Sequence, residues 1–204
     1  KLPIAIDINF DSLNEMYGFP KNYRDPCFFE VFDRLLKITE FNKIPLSIYI
    51  IGKDLENPEI KARVKDWSDR GHEIGNHSYS HQVNLGSLTN EKVADEIERS
   101  HDLIYSTTGI EPRGFIAPNW CSSNVVIQNL IRLDYKYDKS AFPSIWFYAV
   151  MLKLLINHLG NPVRFFKYIR RPDLLSPIFK PVVPYYLKGD GSISFEKVND
   201  SILI

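Results

Sequence analysis

Apolar residues along this chain fall into two rhythms: short dense runs suited to buried strands, and longer stretches with the three- and four-residue spacing of a helix face. The first run, Pro3 to Phe10, is short and rich in isoleucine and predicts a buried strand. Asp25-Pro26 reads as an N-cap with proline in the first helical position, and Phe28, Phe29, Phe32, Leu35, Leu36 and Phe41 behind it make one helix face. Pro45 to Ile51 is the next strand. Pro58 to Arg70 follows as a helix with Ile60, Val64 and Trp67 inward and Gly71 as its stop, and His72 to Ile74 is a short third strand. Thr89 caps a long helix that faces inward through Val93, Ile97 and Ile104 and ends at Gly109. Gly114 to Ala117, Ser123 to Leu133 and Tyr135 to Tyr137 continue as strand, helix and strand. The alternation predicts an α/β fold with a parallel sheet whose strand ends carry the site.

After Phe142-Pro143 the rhythm breaks. Ile145 to Leu159 is almost wholly apolar, but it includes Lys153 and is shorter than the roughly 18 residues of a membrane span. It therefore reads as part of a helical and proline-rich insertion over residues 145–190. Pro162 to Arg171 mixes aromatic with basic residues, so the segment 145–171 is a candidate for contact with an anionic membrane surface. Ser192 to Glu196 and Ser201 to Ile204 resume as strands, and the apolar ending reads as a larger fold cut short.

At 204 residues and 44% hydrophobic, the chain suits a single domain with one sizeable core. Its 25 basic residues balance 25 acidic ones, which removes the electrostatic case for nucleic acid and leaves a neutral polymer such as a glycan as a suitable partner. Cys27 and Cys121 are too few for a disulfide framework. No basic-then-apolar leader precedes Leu2, so the reading allows cytoplasm or cell envelope and leaves the oligomeric state open.

Chemistry concentrates in Gly71-His72-Glu73-Ile74-Gly75-Asn76-His77-Ser78-Tyr79-Ser80-His81. His77 and His81, four apart on one side of a helical turn, would converge on a single cation. A third ligand should come from another strand end, where Asp7, Asn9 and Asp11 alternate and so share one strand face. Two imidazoles and one carboxylate leave open positions for water and substrate, a donor set suited to zinc. His72 and His101 read as structural histidines.

Four stretches, Ile4 to Tyr17, the segment Gly71 to His81, Pro112 to Pro118 and Tyr135 to Ser140, occur in the order and spacing of the polysaccharide deacetylases with a NodB homology domain. The resemblance covers roughly residues 3–143. It implies a distorted (β/α) barrel and hydrolysis of the N-acetyl group of a glycan. It places the metal ligands on Asp11, His77 and His81, with a divalent cation, Zn2+, as Lewis acid. It also implies that the backbone N–H of Asn119, just after Pro118, helps hold the oxyanion, while Pro118 and Trp120 line the sugar site.

Three departures from the pattern matter. Asn9 stands where the family places its aspartate base, Ile116 stands where it has an arginine beside that base, and its late general-acid histidine has no counterpart in this sequence. An amide cannot accept a proton at neutral pH, so Asp7 becomes the substitute base to consider. The sequence thus points to an N-deacetylase impaired at its base, with a catalytically inactive module that binds glycan or protein as the alternative.

Overall fold

The computed structural model describes residues 6–13, 19–20, 23–141, 149, 152–153, 156 and 184–204. The expected insertion over 145–190 and its membrane contact therefore lie almost entirely outside the described residues. Among those described, no helix is long and apolar enough to cross a membrane.

The chain divides into two compact units, residues 1–81 with 95–116, and residues 82–94 with 117–204. In the first, strand β1 (Ile6–Phe10) leads to a wide helical turn (Cys27–Val31) that continues as α1 (Phe32–Phe41). Asp25 caps this helix as expected. One carboxylate oxygen accepts from the amide of Cys27 and the other from that of Leu13, both at 2.8 Å. Next come β2 (Leu46–Ile50), α2 (Pro58–Asp69) and β3 (Glu73–Asn76). Asn57 caps α2 through the amides of Glu59 and Ile60, and Gly71 leaves it at a φ of 90°. Helix α3 (Asn90–Thr108) begins in the second unit and runs into the first, where β4 (Gly114–Phe115) follows.

The four strands of this unit are parallel and adjacent in chain order, β1-β2-β3-β4. Their register sets the site. Phe10 pairs with Ile50, Ile50 with Asn76, and Asn76 with Phe115, so one row of the sheet runs through all four C-terminal strand ends. Asp11, Ile51, His77 and Ile116 each stand one residue beyond that row. Gly75 is dictated by close approach, since a Cβ there would lie 2.5 Å from the ring of Tyr49.

One face of the sheet packs under α1 and α2. Phe10, Phe28, Phe32 and Trp67 form an aromatic nest, with Phe32 edge-on to Trp67 at 4.5 Å and Phe10 edge-on to Phe32 at 5.0 Å between centroids. Leu36, Ile48, Val64 and Ile104 are fully buried around it. The spacing predicts Phe41 on this same face, but it is 88% exposed. Phe41 is the last residue of α1, and the helix phase there has turned it outward.

In the second unit α4 (Asn124–Arg132), capped by Ser123 through the amide of Val126, precedes β5 (Tyr137–Asp138). Three further strands follow: β6 (Tyr186–Lys188), β7 (Ile193–Ser194) and β8 (Ser201–Leu203). β5 pairs with β8 in parallel, but β8–β6 and β6–β7 are antiparallel. The wholly parallel expectation therefore fails here, because β6 and β7 are joined by a tight turn through Gly191 rather than by a helix. β6 is not evident in the sequence pattern, and β5 begins two residues later than expected and ends one residue later. Tyr135 donates back to Leu130 at the end of α4 instead of starting the strand.

Candidate metal centre

The side chains of Asp11, His77 and His81 converge in the first unit, with one ligand atom from each lying within 4.8 Å of the others. Nε2 of His77 is 3.3 Å and Nε2 of His81 is 3.6 Å from Oδ1 of Asp11. Strand register explains the first two: Asp11 and His77 leave β1 and β3 at the same level, with β2 between them. The route to His81 differs from expectation. Residues 77–81 are a loop and not a helical turn, and Ser78 and His81 both take left-handed backbone, at φ of 61° and 53°. The four-residue spacing brings the imidazoles together because the loop folds back, with the amide of His81 donating to Oγ of Ser78 at 3.1 Å.

The loop is tied on two sides. The amide of His77 donates to the carbonyl of Ile50, and those of Gly52 and Lys53 donate to the carbonyls of Ser78 and Tyr79. Fully buried Asn76 accepts from the amide of Ser78 at 2.8 Å and donates to the carbonyl of Ile97 on α3 at 3.0 Å. Glu96, buried on α3, accepts from both the amide and the hydroxyl of Ser80. Glu96 is not singled out by the sequence pattern. The available signal was a charged residue, Glu96, next to Ile97 on the inward stripe of α3.

Whether the three residues suit a cation follows from their protons. Nδ1 of His77 lies 2.7 Å from the carbonyl oxygen of Ile116. A carbonyl only accepts, so Nδ1 carries a hydrogen and Nε2 is the atom turned toward Asp11. Nε2 then faces the buried carboxylate oxygen, which has no hydrogen-bond partner. Such an arrangement repels unless a positive charge lies between them. Ligands at about 2.0–2.1 Å around a tetrahedral zinc are roughly 3.3–3.4 Å apart, close to the 3.3 and 3.6 Å found here. The donor set therefore fits a small divalent cation.

The titration states agree. Burial presses the Asp11 carboxyl upward, but the pull of the neighbouring His77, and after it of His81, outweighs burial and holds the pKa below the ordinary carboxylate value. Burial, with the neighbouring His77, lowers His81 to about 4 against the pull of Asp11. At neutral pH the site thus presents a carboxylate and, at His81, a neutral imidazole, the forms that bind metal.

The other expected residues sort by position. Asn9 is exposed on β1 in register with Tyr49, two residues before Asp11 on the same strand face. Asp7 is exposed and in register with Ser47, about 13 Å of strand rise from Asp11. Ile116 is buried, contributing its carbonyl and not its side chain to the centre. Pro118, Asn119 and Trp120 belong to the second unit. There Asn119 and Trp120 take consecutive left-handed conformations at φ of 56° and 54°, and Trp120 is 40% exposed, which removes it from the core. His72 is structural: it accepts from the amide of Leu46 at 3.1 Å and meets Glu40 at 3.3 Å.

A family model described as polysaccharide deacetylase matches residues 20–137, a span that includes His77 and His81 and begins after Asp11. The peptidoglycan deacetylase of Helicobacter pylori is 35% identical over 107 residues, 52% of this chain and 36% of that protein. Curated relatives of Bacillus subtilis are matched over 30% and 38% of their lengths, so the chain spans about a third of the curated relatives it matches. Among solved structures, a candidate polysaccharide deacetylase from Mycobacterium smegmatis shares the fold with a TM-score of 0.64 at 16% identity, over 98% of this chain and 56% of that one. A CE4 family pseudoenzyme from Bacillus anthracis matches with a TM-score of 0.53 at 20% identity, over 66% of this chain and 41% of that one; a mutant of it is described as having restored enzymatic activity. The α/β fold is thus the barrel-like fold of these proteins, and the chain belongs to the polysaccharide deacetylase family.

Proposed function

We propose that residues 1–204 form one metal-dependent deacetylase domain that hydrolyses the N-acetyl group of a glycan, with turnover curtailed by Asn9 and Ile116. The observation that carries the reading is the pairing of two buried imidazoles with the unpartnered Oδ1 of Asp11. Asp11, His77 and His81 would hold one divalent cation, zinc suiting the donors best, which would supply Lewis acidity toward the acetamide carbonyl and water.

The chain's own groups take defined parts. The carbonyl of Ile116 fixes the tautomer of His77. In this reading the amide of Asn119 donates to the developing oxyanion, and the half-exposed Trp120 offers a ring face to a pyranose, with Pro118 beside it. Asn9 can orient a water but cannot take its proton. Peptidoglycan, named for the Helicobacter pylori relative, is the natural first substrate to try.

A second reading, a module that keeps the centre and binds glycan without turnover, is favoured by the same two positions. Asn9 is an amide at the base position and Ile116 is a buried apolar side chain, and the Bacillus anthracis neighbour is itself described as a pseudoenzyme. Metal analysis of the purified protein with an acetate-release assay on N-acetylated oligosaccharides separates the two. Metal with acetate supports the enzyme, metal without acetate supports the module, and no metal in either apo-reconstituted or purified protein rejects both.

A further inference from the structure

We infer that Glu96 is a positioning residue for the centre, holding the His77–His81 loop on α3 so that His81 is presented to the cation; this rests on the metal-centre reading above. Glu96 is only 8% exposed. A buried carboxylate is unfavourable unless its oxygens are bonded, and among the described residues no lysine or arginine pairs with it. Its bonds go instead to the residue directly before His81: Oε2 accepts from the amide of Ser80 at 2.9 Å and Oε1 from the Ser80 hydroxyl. The Glu96 carbonyl accepts from the amide of Tyr79, also at 2.9 Å. One residue on α3 therefore receives three donors from two consecutive loop residues.

The loop requires such support. Ser78 and His81 hold left-handed backbone at φ of 61° and 53°, which a free serine or histidine abandons readily. Tyr79 is also fixed at its far end, its hydroxyl donating to Glu56 at 2.6 Å and its ring lying under the Arg99 guanidinium at 3.6 Å. Nδ1 of His81, in contrast, has no partner of its own. His77 is oriented through its ring by Ile116, whereas the orientation of His81 comes through its backbone, and Glu96 is the anchor of that backbone.

The test uses the full chain and zinc itself. Zinc affinity is measured by competition with a chromophoric chelator, and coordination geometry by the visible spectrum of the cobalt-substituted protein, for the unaltered chain, Glu96→Ala, Glu96→Gln, Ser80→Ala and the exposed control Lys92→Ala. Glu96→Ala is expected to weaken zinc binding about 10–100-fold, the usual cost of losing such support, and to alter the cobalt spectrum. Glu96→Gln, which keeps an acceptor for the Ser80 amide, recovers most of the loss, and Lys92→Ala has none. If Glu96→Ala does not fold, Ser80→Ala, which removes only the hydroxyl arm, is expected to show the same effects in smaller measure. Unchanged affinity and spectrum in Glu96→Ala, or in Ser80→Ala where that variant stands in for it, overturn the inference while the metal centre stands. Failure of the unaltered chain to bind zinc or cobalt overturns the metal-centre reading itself.

Discussion

Nδ1 of His77 donates to the carbonyl oxygen of Ile116 across 2.7 Å, while the Ile116 amide donates to the carbonyl of Asn76 at 3.1 Å. The backbone at position 116 thus orients His77 without using its side chain. In the proposed reading, isoleucine in place of the family's arginine removes a charge and leaves that contact in place. Metal binding and turnover should therefore be separable in this protein, and the predictions rest on that separation.

Replacing His77 and His81 together by alanine should abolish stoichiometric zinc. In the unaltered protein, zinc at 100 times its dissociation constant should add about 2.7 kcal/mol, or roughly 5–10 °C in Tm for a chain of this size. Thermal unfolding with zinc and with chelator checks both. Retention of one zinc per chain by the double variant would show that the ligands are elsewhere.

Turnover should respond to residue 9. A positioned carboxylate base contributes about 10²–10⁴-fold, and Asn9→Asp alone should recover only part of that. Ile116→Arg alone should be destabilising, because it places a guanidinium at a buried position. The double variant should exceed the product of the single effects, as residues acting as one unit do. Acetate release at equal metal occupancy for all four forms decides it, and fast turnover by the unaltered chain would locate the base elsewhere.

The metal-free protein should lose stability as the pH falls from about 6.5 to about 4. His81 titrates at about 4 in the folded chain against an ordinary 6.5. Within that window the unfolded state binds a proton that the folded state refuses, so unfolding becomes more favourable as pH drops. The span corresponds to at most about 3 kcal/mol. Asp11, whose carboxyl is held below its ordinary value by His77 and His81, extends the same trend below the usual carboxylate range. Urea unfolding against pH should show the slope, His81→Asn should flatten it, and bound zinc should steepen it because metal competes with the same proton.

Trp67→Ala should cost about 3–5 kcal/mol through loss of the aromatic nest. Trp67→Phe should cost far less than its volume suggests, since the buried indole N–H of Trp67 has no acceptor and its removal relieves an unsatisfied donor. Phe41→Ser at the exposed end of α1 should be within about 0.5 kcal/mol of neutral. Denaturant midpoints for the three variants give the ranking.

The sequence by itself carried the α/β alternation, the cap at Asp25, and the three residues read as ligands. Each is a local matter: apolar period, a side-chain acceptor beside an exposed helix end, and donor atoms whose types match a cation. Tertiary structure alone decided how those ligands meet. The row through Phe10, Ile50, Asn76 and Phe115 aligns Asp11 with His77, and register between strands far apart in the chain is not written in either strand. The expected helical turn over residues 77–81 became a loop with left-handed Ser78 and His81 because Asn76 and Glu96 satisfy its backbone from outside and Ser78 from within, and such partners outweigh the local preference for right-handed turns. The antiparallel pairing of β6, β7 and β8 is likewise a tertiary choice, since strands of two or three residues carry too little pattern to declare their direction before their neighbours are in place.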